Sequence, residues 1–174
     1  MPLLQPDLYC RSVADLDFEE LERRGVRMLL FDLDNTLVRR NTEEGVETAR
    51  ACLEDARARG MGACIVSNNW HERVQETARR LGVPIVGKAT KPLGSGFRRA
   101  IEGTGLTSDQ CAVVGDQVFT DILGGNLFGA TTVLVVPLAG GSDLPHTRVL
   151  RALERRILKG RVPRDGVSGD TTGE

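Results

Sequence analysis

Histidine is scarce in this 174-residue chain. The two present, His71 and His146, have no partner at metal-ligand or triad spacing, so both read as surface residues. The four cysteines, Cys10, Cys52, Cys64 and Cys111, lie far apart, form no CxxC pair and have no histidine nearby. That excludes a zinc pattern and predicts reduced, mostly buried thiols of a cytosolic protein. An excess of either charge is also missing: 23 Lys and Arg against 24 Asp and Glu leave a net charge of −1. No global field draws in nucleic acid or an acidic surface, and any such partner must use a local patch. Long apolar runs are absent, so nothing is long enough to span a bilayer. Met1-Pro2-Leu3-Leu4-Gln5-Pro6 has neither the basic start nor the apolar stretch of a secretory leader. The expectation is a soluble, cytoplasmic protein, at most peripheral to the inner face of a membrane.

What the chain does contain is ordinary for one globular domain, with 40% hydrophobic and 27% charged residues. Short apolar runs alternate with helical patterns. A short helix over residues 15–24 ends at Gly25, and strands are predicted at Val26–Phe31, Gly62–Val66, Pro84–Gly87, Ala112–Gly115 and Thr132–Val136. Thr42 is a candidate cap for a helix to about Arg59, and Asn69 with Glu72 for a helix to about Leu81. Pro92 suits the first turn of a helix to about Glu102, and residues 118–128 form another. This alternation predicts an α/β fold, a three-layer sandwich around a mostly parallel sheet, over residues 1–160. Residues 161–174, rich in Gly, Pro, Ser, Thr and Asp, are expected to be a disordered tail.

Four of the predicted strands end in residues suited to phosphoryl transfer. The first leads into Asp32-Leu33-Asp34-Asn35-Thr36, the second into Ser67, the third into Lys88 and then Lys91-Pro92, and the fourth into Asp116. In an open parallel sheet the loops after the strand C-termini share one crevice, so these residues should meet. Carboxylates at i and i+2 can divide the chemistry: Asp32 attacks phosphorus and forms an aspartyl phosphate, and Asp34 serves as acid and then base. The candidate metal ligands are Asp32, Asp34, Asp116 and Asp121, hard oxygen donors suited to one octahedral Mg²⁺. Without a cation, clustered carboxylates would repel one another and a dianionic substrate. Ser67 and the backbone around Leu33, Asp34 and Asn68 can donate hydrogen bonds to the phosphoryl oxygens. Lys91 or Lys88 supplies a fixed positive charge; Lys91 is favoured because Pro92 follows it at a helix start. Trp70 either lines the crevice mouth or packs against its neighbours.

In order and content these four motifs resemble the haloacid dehalogenase superfamily. Closer resemblance, to the YqeG-like, subfamily IIIA phosphatases, is carried by Ile65-Val66-Ser67-Asn68-Asn69, Lys91-Pro92-Leu93 and the run from Val114 to Asn126, and covers roughly residues 4–158. It implies a Rossmann-like fold, Mg²⁺ dependence and the aspartyl-phosphate route. Related eukaryotic members are phosphatidylglycerophosphate phosphatases, which makes a phospholipid headgroup the leading substrate expectation and a soluble sugar or nucleotide phosphate the alternative. Ala139 to His146, with Gly140-Gly141 and Pro145, departs from the subfamily's approach to the last helix. Only residues 38–41 separate the first motif from the next helix, and one helix and one strand fill the second interval, so no cap domain is expected. An uncapped crevice admits a bulky phosphate bearer.

Three other readings fit the motifs less well. A dehalogenase does not need the acid that Asp34 supplies, and a signalling receiver, a phosphoacceptor without turnover, would not carry its metal-ligand acid last. A phosphate-binding protein would not require both Asp32 and Asp34. From Thr147 to Lys159, Leu150, Leu153, Ile157 and Leu158 form an apolar stripe among Arg148, Arg151, Arg155, Arg156 and Lys159. This basic helix is the candidate for contact with an anionic lipid surface; an RNA contact stays open, with no strong nucleic-acid signal.

Overall fold

The computed structural model describes residues 3–40, 42–138 and 163. The elements run β1 (Leu8–Cys10), α1 (Phe18–Arg23), β2 (Met28–Phe31), α2 (Val46–Ala58), β3 (Gly62–Val66), α3 (Glu72–Leu81), β4 (Ile85–Val86), α4 (Ser95–Ile101), β5 (Cys111–Gly115), α5 (Leu123–Phe128) and β6 (Thr131–Val135). All six strands join one sheet in the order β1-β6-β5-β2-β3-β4, and every pairing is parallel. The chain order reverses beside β2, which lies between β5 and β3, and ligands of open α/β sheets bind at such a switch point.

Alternation along the strands builds the layers. Leu29 and Phe31 point into the larger core with Leu21, Leu53, Ala56 and Ala78 of α1, α2 and α3. Met28 and Leu30 point the other way, toward Phe97 of α4 and Phe128 of α5. Both faces of β2 are therefore covered, which explains why its four residues are all buried and all apolar. This is the three-layer α/β sandwich of the sequence reading. Residues 37–45 are all that lies between the first motif and α2, and between α3 and α4 stands only β4; no cap domain is evident among the described residues.

Local departures from the sequence reading have physical causes. β1 was not predicted: its three residues are too few to show a period, and it exists through its register with β6. The helix expected from Thr42 begins at Val46, because the Thr42 hydroxyl accepts the Glu44 N–H and forms a separate turn first. Helix α3 starts after His71 with no side-chain cap; Asn69, two residues before that cap position, donates its side-chain N–H to Asp34 instead. Helix α4 starts at Ser95, not at Pro92, which follows a cis bond from Lys91 inside a turn. The basic segment Thr147–Lys159, the Ala139–His146 departure and, but for residue 163, the expected tail lie outside the described residues.

Candidate active site

Asp32 leaves the end of β2 with its N–H bonded to the Val114 carbonyl at 2.8 Å. The chain then folds over itself: Leu37 and Val38 donate to the Leu33 carbonyl, and Asn35 donates to Val38 at 2.7 Å. Asn35 has φ of 65°, a left-handed conformation that asparagine tolerates better than most residues. The turn holds Asp32 and Asp34 in the crevice, both buried.

Opposite them, β3 ends at Ser67, whose backbone bonds Val86 and Ala89 across the sheet edge. Its Oγ accepts the Asn69 N–H at 3.1 Å, which leaves the hydroxyl proton to donate. Asn68 braces the next loop: it donates to the Lys91 carbonyl at 3.2 Å and accepts the Lys91 N–H at 2.7 Å. Its side chain therefore positions Lys91, and its backbone N–H remains the substrate-binding candidate. Lys88 and Thr90 have φ of 48° and 57°, and Arg99 fastens this loop through the Gly87 and Lys88 carbonyls at 3.2 and 3.0 Å.

Geometry separates the two lysines. Lys88 is exposed, whereas Lys91 is buried with Nζ 2.6 Å from Asp32 Oδ1 and 2.6 Å from Asp121 Oδ1. Asp121 sits in a π-helical turn, Val118–Ile122, just before α5, and its Oδ2 also accepts the Gln117 N–H at 3.2 Å. A Cβ on Gly115 would lie 2.3 Å from the Asp121 carboxyl carbon, so only glycine lets that carboxylate sit against the end of β5.

Asp32, Asp116 and Asp121 each offer an oxygen within 4.8 Å of the others. Three buried carboxylates beside one ammonium make a hard oxygen donor set that suits one divalent cation. Asp32 Oδ2 is buried and has no hydrogen-bond partner, as expected of an atom reserved for a ligand. Burial pushes the Asp32 carboxyl up to about 7, with Lys91 pulling it back and Asp121 and Asp34 adding to the rise. Burial works against the Lys91 charge, but Asp121 and Asp32 outweigh it and hold the ammonium above its ordinary range.

Asp34 stands outside this acidic cluster. Its Oδ2 accepts the Asn69 side-chain N–H at 2.8 Å, with Arg40 at 3.5 Å and Arg73 Nη1 3.6 Å from Oδ1. Sequence reasoning missed Asn69, Arg40 and Arg73 in this role. Asn69 does stand in the Ser67-Asn68-Asn69 run, but the two arginines carry no spacing signal among the chain's many basic residues. Trp70 packs its ring over Gly87 and lines a 280 Å³ surface cavity with Ile85, Val86, Lys88 and Arg99 beside the crevice.

The model of haloacid dehalogenase-like hydrolases matches residues 42–129. The chain is 40% identical over 153 residues to the probable phosphatase YqeG of Bacillus subtilis, covering 88% of each. It belongs to the haloacid dehalogenase-like hydrolases. Within this family it is also similar to the chloroplastic/mitochondrial phosphatidylglycerophosphate phosphatase 1 of Arabidopsis thaliana, 29% identical over 88% of this chain but 47% of that longer protein. An uncharacterized Corynebacterium glutamicum protein of known crystal structure shares the fold, with a TM-score of 0.54 and 19% identity over 80% of this chain and 100% of that one. The acidic cluster of this haloacid dehalogenase-type enzyme has the donor set of a divalent metal site.

Proposed function

We propose that this haloacid dehalogenase-type phosphatase hydrolyses phosphate monoesters through an aspartyl phosphate on Asp32, with Asp34 as acid and base. The observation that carries this reading is the pair of buried carboxylates with opposite surroundings. Asp32 faces the ammonium and the acidic cluster, and Asp34 faces amide and guanidinium donors at the crevice mouth.

An Asp32 oxygen attacks phosphorus as the ester P–O bond breaks, and the protonated Asp34 delivers its proton to the departing alkoxide, releasing the alcohol. Asp34, now a carboxylate, then takes a proton from water as that water's oxygen attacks phosphorus. The P–O bond to Asp32 breaks, inorganic phosphate leaves, and both groups return to their starting states. Lys91, held by Asp32 and Asp121, balances charge at the nucleophile, and the Ser67 hydroxyl donates to a phosphoryl oxygen. Asp32, Asp116 and Asp121 would hold Mg²⁺, which neutralises phosphoryl charge when bound.

The relatives' names support a phosphatidylglycerophosphate substrate, and the absence of a cap among the described residues accommodates a bulky phosphate bearer. Contact with the membrane surface belongs to the same proposal. Phosphate release with Mg²⁺, comparing phosphatidylglycerophosphate in detergent micelles with sugar and nucleotide phosphates, tests it. We expect the lipid to be preferred; a preferred soluble phosphate would discard the lipid and keep the chemistry. Asp32→Asn should lower turnover by about 10³-fold or more. Asp34→Asn should lower it by about 10²- to 10⁴-fold. Unchanged turnover in either variant defeats the mechanism.

A further inference from the structure

We propose that Arg40 and Arg73 form an anion subsite for the leaving group, selecting phosphate monoesters whose alcohol carries a second negative charge near the scissile oxygen. The inference rests on the role given to Asp34 above: an acid that protonates the ester oxygen must be within hydrogen-bond reach of it. The atoms just beyond that oxygen therefore pass close to whatever surrounds Asp34.

Two guanidinium groups surround it, at 3.5 and 3.6 Å. Asp34 is shared between the two cations, and although Arg73 borders a surface cavity with Glu43, Glu72 and Glu76, none of those carboxylates lies within salt-bridge distance of it. Charge-assisted hydrogen bonds close to about 2.7–2.9 Å, so at these separations Asp34 does not saturate either fork. Arg39 and Arg80, on the same rim, are each matched by a glutamate of their own, Glu44 and Glu43. Among the described residues, Arg40 and Arg73 have no carboxylate other than Asp34 within salt-bridge distance. Their side chains are 30% and 34% exposed, open to a ligand from solvent.

Arg73 is also held in advance. Its Nη2 donates to the Arg39 and Thr42 carbonyls at 3.1 and 3.2 Å, which fixes the guanidinium and leaves Nη1 toward the crevice. A side chain anchored this way loses less freedom on binding than a free surface arginine. For Arg40 it is the backbone that is held, its main-chain N–H donating to Asn35 Oδ1 at 3.2 Å in the same turn that carries Asp34. The phosphoryl group has its own cation in Lys91 on the far side of Asp32, so the arginine pair is not required there. Its planar forks suit a carboxylate, a phosphodiester or a second phosphate. Such an anion can come from a lipid headgroup or from a soluble metabolite.

The test measures phosphate release from three substrates with Mg²⁺. Glycerol 3-phosphate has a neutral leaving group, glycerophosphoglycerol phosphate a soluble anionic one, and phosphatidylglycerophosphate in micelles the same anion on a lipid. The faster of the two anionic substrates with the unaltered enzyme tells the source. In Arg40→Ala/Arg73→Ala, the preference for each anionic substrate over glycerol 3-phosphate should fall by about tenfold or more, through KM. Arg40→Ala, at a half-exposed loop position, should show part of the same loss if the double variant fails to fold. Equal losses on all three substrates through kcat would mean that the arginines only position Asp34, and would overturn the subsite. A loss confined to the micellar lipid, or no anionic preference in the unaltered enzyme, would overturn it too. No phosphate from any substrate would instead defeat the phosphatase reading beneath it.

Discussion

Replacing Lys91 by Met would leave Asp32 and Asp121 facing each other across a buried gap without the ammonium that now bonds both at 2.6 Å. Breaking a buried pair from one side costs about 3–5 kcal/mol, so urea unfolding without Mg²⁺ should show a loss of that order. Added Mg²⁺ should restore part of it, because a divalent cation relieves the same repulsion. A Lys91→Met variant as stable as the parent would mean that the ammonium does not hold the site together. At this scale the sequence was most legible where a residue follows an apolar strand. Asp32, Asp34, Ser67, Lys91 and Asp116 each do, and strand ends converge by topology alone. The sequence favoured Lys91 over Lys88 for a helix start at Pro92, but α4 starts at Ser95, and what separates the lysines is a loop with Lys88 and Thr90 in left-handed conformations that leaves Lys88 exposed and Lys91 buried. Arg40 and Arg73 stayed hidden for a similar reason. What distinguishes them from other arginines is a shared neighbour, Asp34, close to Arg40 in the chain but far from Arg73, not a pattern along the chain.

Elements carry the site by close approach, and Gly115 is the clearest case. Its Cβ position is taken by the Asp121 carboxylate, so Gly115→Ala must push Asp121 from the acidic cluster without removing a carboxylate. We expect Mg²⁺ affinity, read from calorimetry and from the Mg²⁺ dependence of phosphate release, to weaken by about tenfold or more, the effect of disturbing a ligand's support. Unchanged affinity would remove Asp121 from the ligand set. The predicted strands are present; in β2 and β5, buried on both faces, that burial writes itself directly into composition, while β4 is half-buried at the sheet edge. Helix starts were less legible, since capping residues serve several masters. Asn69 has the residue type and spacing of a cap, yet its amide goes to Asp34, and Thr42 caps a turn instead of α2. β1 was invisible because three residues acquire strand structure only from their partner.

For the whole molecule, burial of the four free thiols gives a pH signature. Cys10 and Cys52 are pushed up to about 12, and Cys64 and Cys111 to about 11, by desolvation. Below about pH 7.5 folded and unfolded chains both keep these protons. Above it the unfolded chain loses them first, so it binds fewer protons and stability falls as pH rises toward the folded values. Each thiol contributes a slope of up to about 1.4 kcal/mol per pH unit in that window. Urea midpoints at successive pH values should fall there, and Cys52→Val should make the fall shallower; a flat profile would contradict burial of the thiols. A second expectation concerns extent: a chain ending at residue 160 should keep its thermal midpoint within about 2 °C and its turnover, and loss of either would extend the domain into residues 161–174. The N-terminal clasp has a consequence of another kind. Among the described residues β1 bonds no strand but β6, and Asp7 meets Thr132 across a separation of 125 residues through backbone and side chain alike. On the ribosome β1 thus waits unpaired until β6 has been synthesised and has left the exit tunnel. The nascent chain can lay down β2, β3 and the helices over them meanwhile, and β6 on emerging seats β1.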